Sequence, residues 1–239
     1  AIPGIPLITD DDEWGATDVY AWRGSLAWQP SETVEVGLTM HGSRDKSEQI
    51  VYKMITPDLL GTQPVGDEFT SYSNINPEID ADQAGANLRV DWDLGFARLT
   101  SLTAYDELER TQGEEDSSPF RLIDGSLNDD LNQWTQELRL ASNGEGGNTW
   151  VVGMHWMQDE VDFAKTLDAT DLFLGQATTD YLQEGEAFAV FGQYEWQLAD
   201  TLRLTTGLRY TDEEKTFDGG SFEADPFGTS VVGAQFPDL

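Results

Sequence analysis

Apolar and polar residues alternate with a period of two along most of this chain, and helical periodicity is scarce. Alternation of this kind predicts β-strands with one apolar and one polar face. Eight segments follow it, at about 20–29, 33–41, 83–92, 96–108, 134–140, 150–156, 188–196 and 202–211. The segment 96–108 is the least regular, because Leu99 and Tyr105 share a face whereas Leu102 lies on the other. The pattern therefore predicts eight strands arranged as four hairpins.

The connections between the predicted strands alternate in length. Those after the first, third, fifth and seventh strands are short, at about three to seven residues, and the three between them are long, at about 47–82, 109–130 and 164–185. This rhythm is typical of outer-membrane barrels, which have short periplasmic turns and long outer loops. We therefore predict an all-β fold, an antiparallel transmembrane β-barrel present as a fragment of about eight strands in four hairpins.

The large aromatic residues of the predicted strands lie on the apolar face, near the strand ends. They form two belts: Trp28, Trp92, Trp150 and Trp196 beside the short turns, and Tyr20, Trp22, Tyr105, Trp134, Trp156 and Tyr210 towards the long loops. Amphipathic rings prefer the headgroup level of a bilayer, so a lipid-facing barrel has an aromatic girdle at each edge of its apolar band. These rings are therefore predicted to lie at the membrane interfaces. The alternative is the core of a β-sandwich, where large aromatic side chains are also common.

The opposite face of the predicted strands is charged. Its candidate lumen-facing residues are Arg23, Glu35, Arg89, Arg139, Arg203 and Arg209. Such residues suit a wet or plugged lumen. Salt bridging between neighbouring strands of the barrel wall is the equally open alternative.

Composition narrows the possible functions. The 239 residues include 45 acidic and 13 basic side chains, which gives a formal net charge of −32. This charge excludes a nucleic-acid partner, because no basic patch could neutralise phosphates. The aromatic content of 11%, with 8 Trp, opposes disorder. Cysteine is absent, which excludes disulfides and thiolate metal sites, and no apolar run reaches the roughly 18 residues of a membrane-spanning helix.

The sequence contains no motif of a catalytic or cofactor-binding site. Its two histidines, His41 and His155, lie in no HExxH pattern. It has no nucleophile elbow, P-loop or dinucleotide-binding glycine pattern. Two acidic runs, 10–13 and 212–214, could bind Ca²⁺ through several oxygen ligands or could be solvated loop charge. We therefore predict that the chain is not an enzyme and has no cofactor or metal site.

Four short segments, taken in order, show a family resemblance. They are residues 99–105 (LTSLTAY), 133–140 (QWTQELRL), 187–194 (AFAVFGQY) and 206–211 (TGLRYT). These segments resemble recurring barrel strands of TonB-dependent outer-membrane receptors, especially those of sphingomonad-like bacteria. The resemblance covers roughly residues 18–215 and implies that the chain is a central part of the barrel.

The resemblance implies a receptor of the bacterial outer membrane that imports a scarce nutrient of the siderophore, vitamin or glycan class. Its partners would be outer-membrane lipid and lipopolysaccharide, the small-molecule ligand, and the TonB complex that supplies energy. TonB would act through a plug domain, which is not expected in this chain. In such receptors the lumen-facing barrel residues contact the plug and line the route of the ligand.

The resemblance also sets the expected organisation. Residues 1–17 would be a loop leading into the barrel, residues 18–215 the strands with their long extracellular loops, and residues 216–239 a further extracellular loop or a truncated end. Two rival hypotheses remain, a secreted acidic β-sandwich for binding or adhesion and a small porin-like channel. A secreted sandwich would need no detergent, and a channel would conduct ions in planar bilayers.

Overall fold

The computed structural model describes residues 15–49, 55–57, 61, 63, 77–114, 123–144, 147–170, 175–225 and 231–235. These residues form nine strands: β1 (Val19–Ser31), β2 (Val34–Asp45), β3 (Ile79–Asp93), β4 (Ala97–Glu114), β5 (Asp124–Ser142), β6 (Thr149–Asp168), β7 (Gln176–Ala199), β8 (Leu202–Ala224) and β9 (Val231–Gln235). All nine belong to one antiparallel sheet, in sequence order from β1 to β9. The predicted all-β antiparallel fold is confirmed. Within these ranges, no helix has the length and apolar character needed to cross a membrane.

The strands extend further at their loop ends than the alternation predicted. Strand β4 continues to Glu114, β5 begins at Asp124, and β8 continues to Ala224 before the short strand β9. Main-chain hydrogen bonding does not require an apolar side-chain face, so paired strands can continue through segments that are polar on both faces. Most of the predicted connection 47–82 and nearly all of the predicted leading loop lie outside the described residues.

The strand register divides the side chains into two faces. On the face that we call outer, one continuous row of cross-strand partners consists of Trp28, Val36, Val90, Ser101, Leu138, Met154, Val190 and Tyr210. On the opposite face, which we call inner, the neighbouring row consists of Glu35, Asp91, Thr100, Arg139, Gly153, Phe191 and Arg209. Strand β4, whose sequence pattern is irregular, has the same two faces. Its Leu102 pairs with Arg89 and therefore lies on the inner face, although it is apolar.

Burial identifies the inner face as the concave one. Along β7 the inner residues Ala187 and Ala189 are 8% and 1% exposed, whereas the outer residues Phe188 and Val190 are 42% and 40% exposed. Small side chains in a single-layer sheet are shielded only by their lateral neighbours, which converge on the concave side of a curved sheet. Along this strand the polarity is therefore the reverse of that in a soluble protein, with large apolar groups exposed on the convex side.

Candidate functional site

The inner face contains every charged residue that the sequence nominates for the lumen. The register places all six on this face: Arg23, Glu35, Arg89, Arg139, Arg203 and Arg209. Three of them, Arg89, Arg139 and Arg209, line a shallow groove of about 730 Å³ near the short turns, and Arg98 joins them there. The other three lie outside this groove.

Several of these guanidinium groups already bind carboxylates of the wall. Arg89 Nη2 donates to Asp91 Oδ1 at 3.1 Å, and the Thr100 hydroxyl donates to the same oxygen at 2.6 Å. Arg203 on β8 lies 2.8 Å from the carboxylate of Glu195 on β7. The Thr100–Asp91 and Arg203–Glu195 contacts fit the alternative in which inner-face polar groups connect neighbouring strands, whereas Arg89 and Asp91 both lie on β3.

Two arginines of the groove make no close ion pair: Arg139 has a long contact with a carboxylate, and Arg209 contacts a ring and a hydroxyl. Arg139 Nη1 lies 3.7 Å from Glu137 Oε1. The Arg209 guanidinium lies over the Phe191 ring, 5.7 Å from its centre, and its Nε donates to the Thr211 hydroxyl at 3.1 Å. A guanidinium has five N–H donors, so these contacts leave donors that can bind an oxygen acceptor. Arg139 and Arg209 therefore keep guanidinium donors that their contacts within the wall do not use.

A histidine and a carboxylate meet across a glycine in the middle of the inner face. His41 Nε2 lies 3.0 Å from Asp106 Oδ1, although β3 separates their two strands. Gly85 is the partner of both residues, and a Cβ there would lie 2.7 Å from the His41 ring. Over the described ranges, no three His, Cys, Asp or Glu side chains are grouped closely enough to hold a metal ion. The close contact of His41 with Asp106 across β3 is made possible by the missing side chain at Gly85.

A further inner-face cluster lies at the loop ends of β4 to β8. Arg110 donates through Nε and Nη2 to the two carboxylate oxygens of Asp129, each at 2.8 Å. The same row continues with Phe163 and Tyr181, whose rings stack with centres 4.7 Å apart. Phe217 stacks on Tyr181 at 4.6 Å. We call the three rings of Phe163, Tyr181 and Phe217 the aromatic ladder.

Sequence reasoning missed the aromatic ladder because its rings are isolated in polar segments. Tyr181 falls in the predicted loop 164–185, and Phe217 in the predicted tail 216–239. The ladder could have been found from the register of the β7–β8 hairpin. That register is fixed near the short turn, where Trp196 pairs with Leu204. Continuing that register along β7 and β8 places Phe217 diagonally opposite Tyr181.

We expect Arg110→Lys to lower the free energy of unfolding by about 1 kcal/mol, because lysine keeps the charge but cannot make two parallel hydrogen bonds to Asp129. Urea unfolding of the complete protein in lipid vesicles would measure this loss. The matched control is Arg44→Lys, since Arg44 Nε lies 3.6 Å from Asp82 and makes no such double contact. Equal losses in both variants would show that the bidentate geometry contributes nothing.

The outer face contains all the aromatic residues nominated for the membrane interfaces. The register places all ten there: Tyr20, Trp22, Trp28, Trp92, Tyr105, Trp134, Trp150, Trp156, Trp196 and Tyr210. Trp28 is 61% exposed and Trp92 is 48% exposed. The described strands form a single sheet, so these indoles pack against no second sheet within it. This arrangement differs from the β-sandwich core that was the alternative.

Above the apolar band, the outer face carries paired surface charges. Lys46 Nζ lies 2.8 Å from Asp80 Oδ2, and its hydrogen bond lowers the pKa of that carboxyl below its ordinary value. The Trp156 indole N–H donates to Glu186 at 3.0 Å, which ties a ring of the loop-side belt to the polar segment above it. The change from apolar to charged side chains therefore occurs along single strands, with an indole at the boundary.

Comparison with known proteins gives a family and a fold. The family model described as "TonB dependent receptor-like, beta-barrel" matches residues 45–238. Among solved structures, the chain is similar to the ferric yersiniabactin uptake receptor FyuA from Yersinia pestis, with 15% identity and a TM-score of 0.75. The similarity covers 97% of this chain and 34% of that one, so the chain spans about a third of that receptor's length. No curated protein sequence matches the chain.

Proposed function

This chain belongs to the TonB-dependent receptor-like β-barrel family, as its four strand motifs predicted, and from this membership we propose that it forms part of the wall of a nutrient-import receptor in the bacterial outer membrane. The ligand would be a scarce compound of the siderophore, vitamin or glycan class. TonB would supply the energy through a plug domain held inside the barrel. FyuA, to whose solved structure the chain is similar, is itself a ferric yersiniabactin uptake receptor.

The observation that carries the proposal is the polarity of the single sheet. Met154 on the outer face is 45% exposed, and the next residue, His155, points to the inner face. An exposed apolar band with a polar concave side is stable when lipid covers the outside and water or a plug occupies the inside. A secreted sandwich would instead turn its apolar face towards a second sheet.

The proposal gives each nominated group a role. The outer aromatic residues would anchor the two edges of the apolar band, with the short turns on the periplasmic side. The inner residues Arg23, Glu35, Arg89, Arg139, Arg203 and Arg209 would contact the plug or line the ligand route. The long connections and the tail from residue 216 would be extracellular. The outer surface would contact lipid and lipopolysaccharide.

In vivo cross-linking of the complete gene product to TonB tests the proposal without knowledge of the ligand. We expect the protein in the outer-membrane fraction, with a cross-linked species that disappears from a strain lacking TonB. A protein that remains soluble without detergent would contradict the proposal in favour of the secreted sandwich. A membrane protein that never cross-links to TonB but conducts ions in planar bilayers would contradict it in favour of a channel.

A further inference from the structure

The shallow groove near the short turns differs in charge from the rest of this acidic chain. Four arginines line it, Arg89, Arg98, Arg139 and Arg209, and no aspartate or glutamate of the described ranges is among its lining residues. The whole chain has 45 acidic and only 13 basic residues. Four of those 13 cations are therefore gathered around one groove, which we call the arginine groove.

The strand register gives this groove a low floor. The cross-strand row that begins at Arg98 on β4 continues with Ala141, Val151, Gln193 and Gly207 on the next four strands. The side chains of Ala141 and Val151 are short, and Gly207 has none. The long arginine side chains thus stand beside a floor that is mostly small and apolar.

A phenylalanine ring positions one of the arginines above this floor. Arg139 and Arg209 belong to the next row, with Gly153 and Phe191 between them. A Cβ at Gly153 would lie 2.9 Å from Phe191 Cε1, so the Phe191 ring occupies the space of the missing side chain. The Arg209 guanidinium lies over the same ring, 5.7 Å from its centre. Contact with a ring holds this charge in place without neutralising it.

Arg98 keeps its charge free because its register partner is engaged elsewhere. That partner is Asp93, which accepts a hydrogen bond from the main-chain N–H of Gly95 at 2.8 Å in the short turn between β3 and β4. Arg98 makes no ion pair with a carboxylate of the described residues. Its five N–H donors are therefore available to another acceptor.

The arginines of the groove contrast with an arginine just outside it. Arg139 Nη1 is 3.7 Å from a carboxylate oxygen, and Arg209 has no carboxylate partner among the described residues. Arg203, on the same strand as Arg209, lies 2.8 Å from Glu195. In a chain so rich in acids, three arginines without a close carboxylate around one groove form a local positive site. Guanidinium groups bind carboxylates and phosphates through paired N–H donors.

The spacing of the three arginines indicates a ligand with more than one anionic group. Arg98 and Arg139 lie on adjacent strands, β4 and β5, whereas Arg209 lies on β8. Three strand spacings correspond to roughly 14 Å between main chains. A single small oxyanion held by the first two arginines would leave the third without a partner.

We propose that the arginine groove is a polyanion site, in which Arg98, Arg139 and Arg209 bind carboxylate or phosphate groups. This inference rests on the proposed function, because it takes the inner face as facing the lumen, and it adds the chemistry of what the turn-side end of the wall binds. A free polyanion in the lumen and the acidic side chains of a plug offer the same chemistry, and the experiment distinguishes these two sources.

Equilibrium dialysis of labelled tripolyphosphate against the complete protein in detergent tests for a free polyanion. We expect Arg209→Gln to weaken binding about 3- to 30-fold, the effect of losing one charge-assisted contact at a partly exposed site. Arg139→Gln should weaken it similarly from a different strand. The matched control is Arg203→Gln, which removes the same charge from the inner face of β8 but lies outside the groove. Its binding should equal that of the unchanged protein.

If acidic side chains of the plug fill the groove, tripolyphosphate will not bind the unchanged protein, and charge reversal will displace the plug. Single-channel conductance in planar bilayers should then increase in Arg139→Glu and not in Arg203→Glu. Equal effects of the groove and control variants, or neither tripolyphosphate binding nor a conductance increase, would overturn the proposal. Neither measurement requires TonB, so failure here with an intact TonB cross-link contradicts this inference alone, whereas loss of the cross-link contradicts the proposed function.

Discussion

Met154→Arg should destabilise the protein in a membrane by about 2–4 kcal/mol, the cost of an arginine on the lipid face of a barrel near the bilayer midplane. Met154 lies in the central outer row of the sheet, between Leu138 and Val190. It is 45% exposed. In a water-soluble protein an arginine at such an exposed position would change stability by no more than about 0.5 kcal/mol. The medium outside the sheet therefore decides the outcome.

His155→Arg is the control, since it places the same side chain at the next residue of β6 on the inner face. Its register partner there is Glu137, a carboxylate, so we expect little loss. The measurement is the folded fraction recovered in lipid vesicles across a urea series. A loss of 2–4 kcal/mol corresponds to a change of about 30- to 1000-fold in the folding equilibrium. Equal stability of the two variants would contradict a lipid-facing outer surface.

The sequence was sufficient to predict the two faces wherever one of them is apolar. In the segment around Met154, alternation places every second side chain in lipid, so the period-two signal and the physical environment coincide. The same reasoning placed Trp28 and Arg89 on opposite faces, and the register agrees. Alternation was informative there because the two faces meet different media.

The sequence was insufficient where both faces of a strand meet water. Strand β7 begins at Gln176 and β8 ends at Ala224, yet residues around 180–186 and 212–218 are mostly polar, with only Tyr181, Leu182 and Phe217 as isolated apolar or aromatic side chains, and they were predicted as loop or tail. Main-chain hydrogen bonds between β7 and β8 maintain the strand pairing there. Such bonds do not depend on side-chain polarity, so the sequence pattern does not show them. Tyr181 and Phe217 of the aromatic ladder lie in these extensions, and Arg110 and Asp129 lie in the corresponding extensions of β4 and β5, which is why their contacts were found only in the structure.

The glycines are a second feature whose spatial role could not be predicted from pattern alone. Gly85 lies within the predicted strand 83–92 and Gly219 within the predicted tail, and either could have been an ordinary bulge or turn residue. Their contacts show a different role, since each leaves room for side chains of adjacent strands to meet. The structural role of a glycine becomes apparent only when the residue paired with it on the neighbouring strand is known.

Gly219→Ala is the sharpest test of this role. The added Cβ would lie 2.5 Å from Tyr181 Cβ and 2.6 Å from Tyr181 Cα, and it would also overlap the carbonyl oxygen of Asp180. These atoms belong to or adjoin the backbone and cannot swing aside, so β7 and β8 must separate locally. We expect the free energy of unfolding to fall by about 1–3 kcal/mol, as for other overpacked sites.

Gly207→Ala on the same strand provides the comparison. Its Cβ would meet the Gly192 carbonyl oxygen at 3.4 Å and Gln193 Cβ at 3.7 Å, which are ordinary contacts. Because alanine restricts the unfolded chain more than glycine does, this variant should be unchanged or more stable by up to about 1 kcal/mol. Urea unfolding of both variants in the same vesicles would therefore separate them by roughly 1–4 kcal/mol. If Gly219→Ala were as stable as Gly207→Ala, the close approach of β8 to Tyr181 would be wrong, and with it the packing of Phe217 onto the ladder.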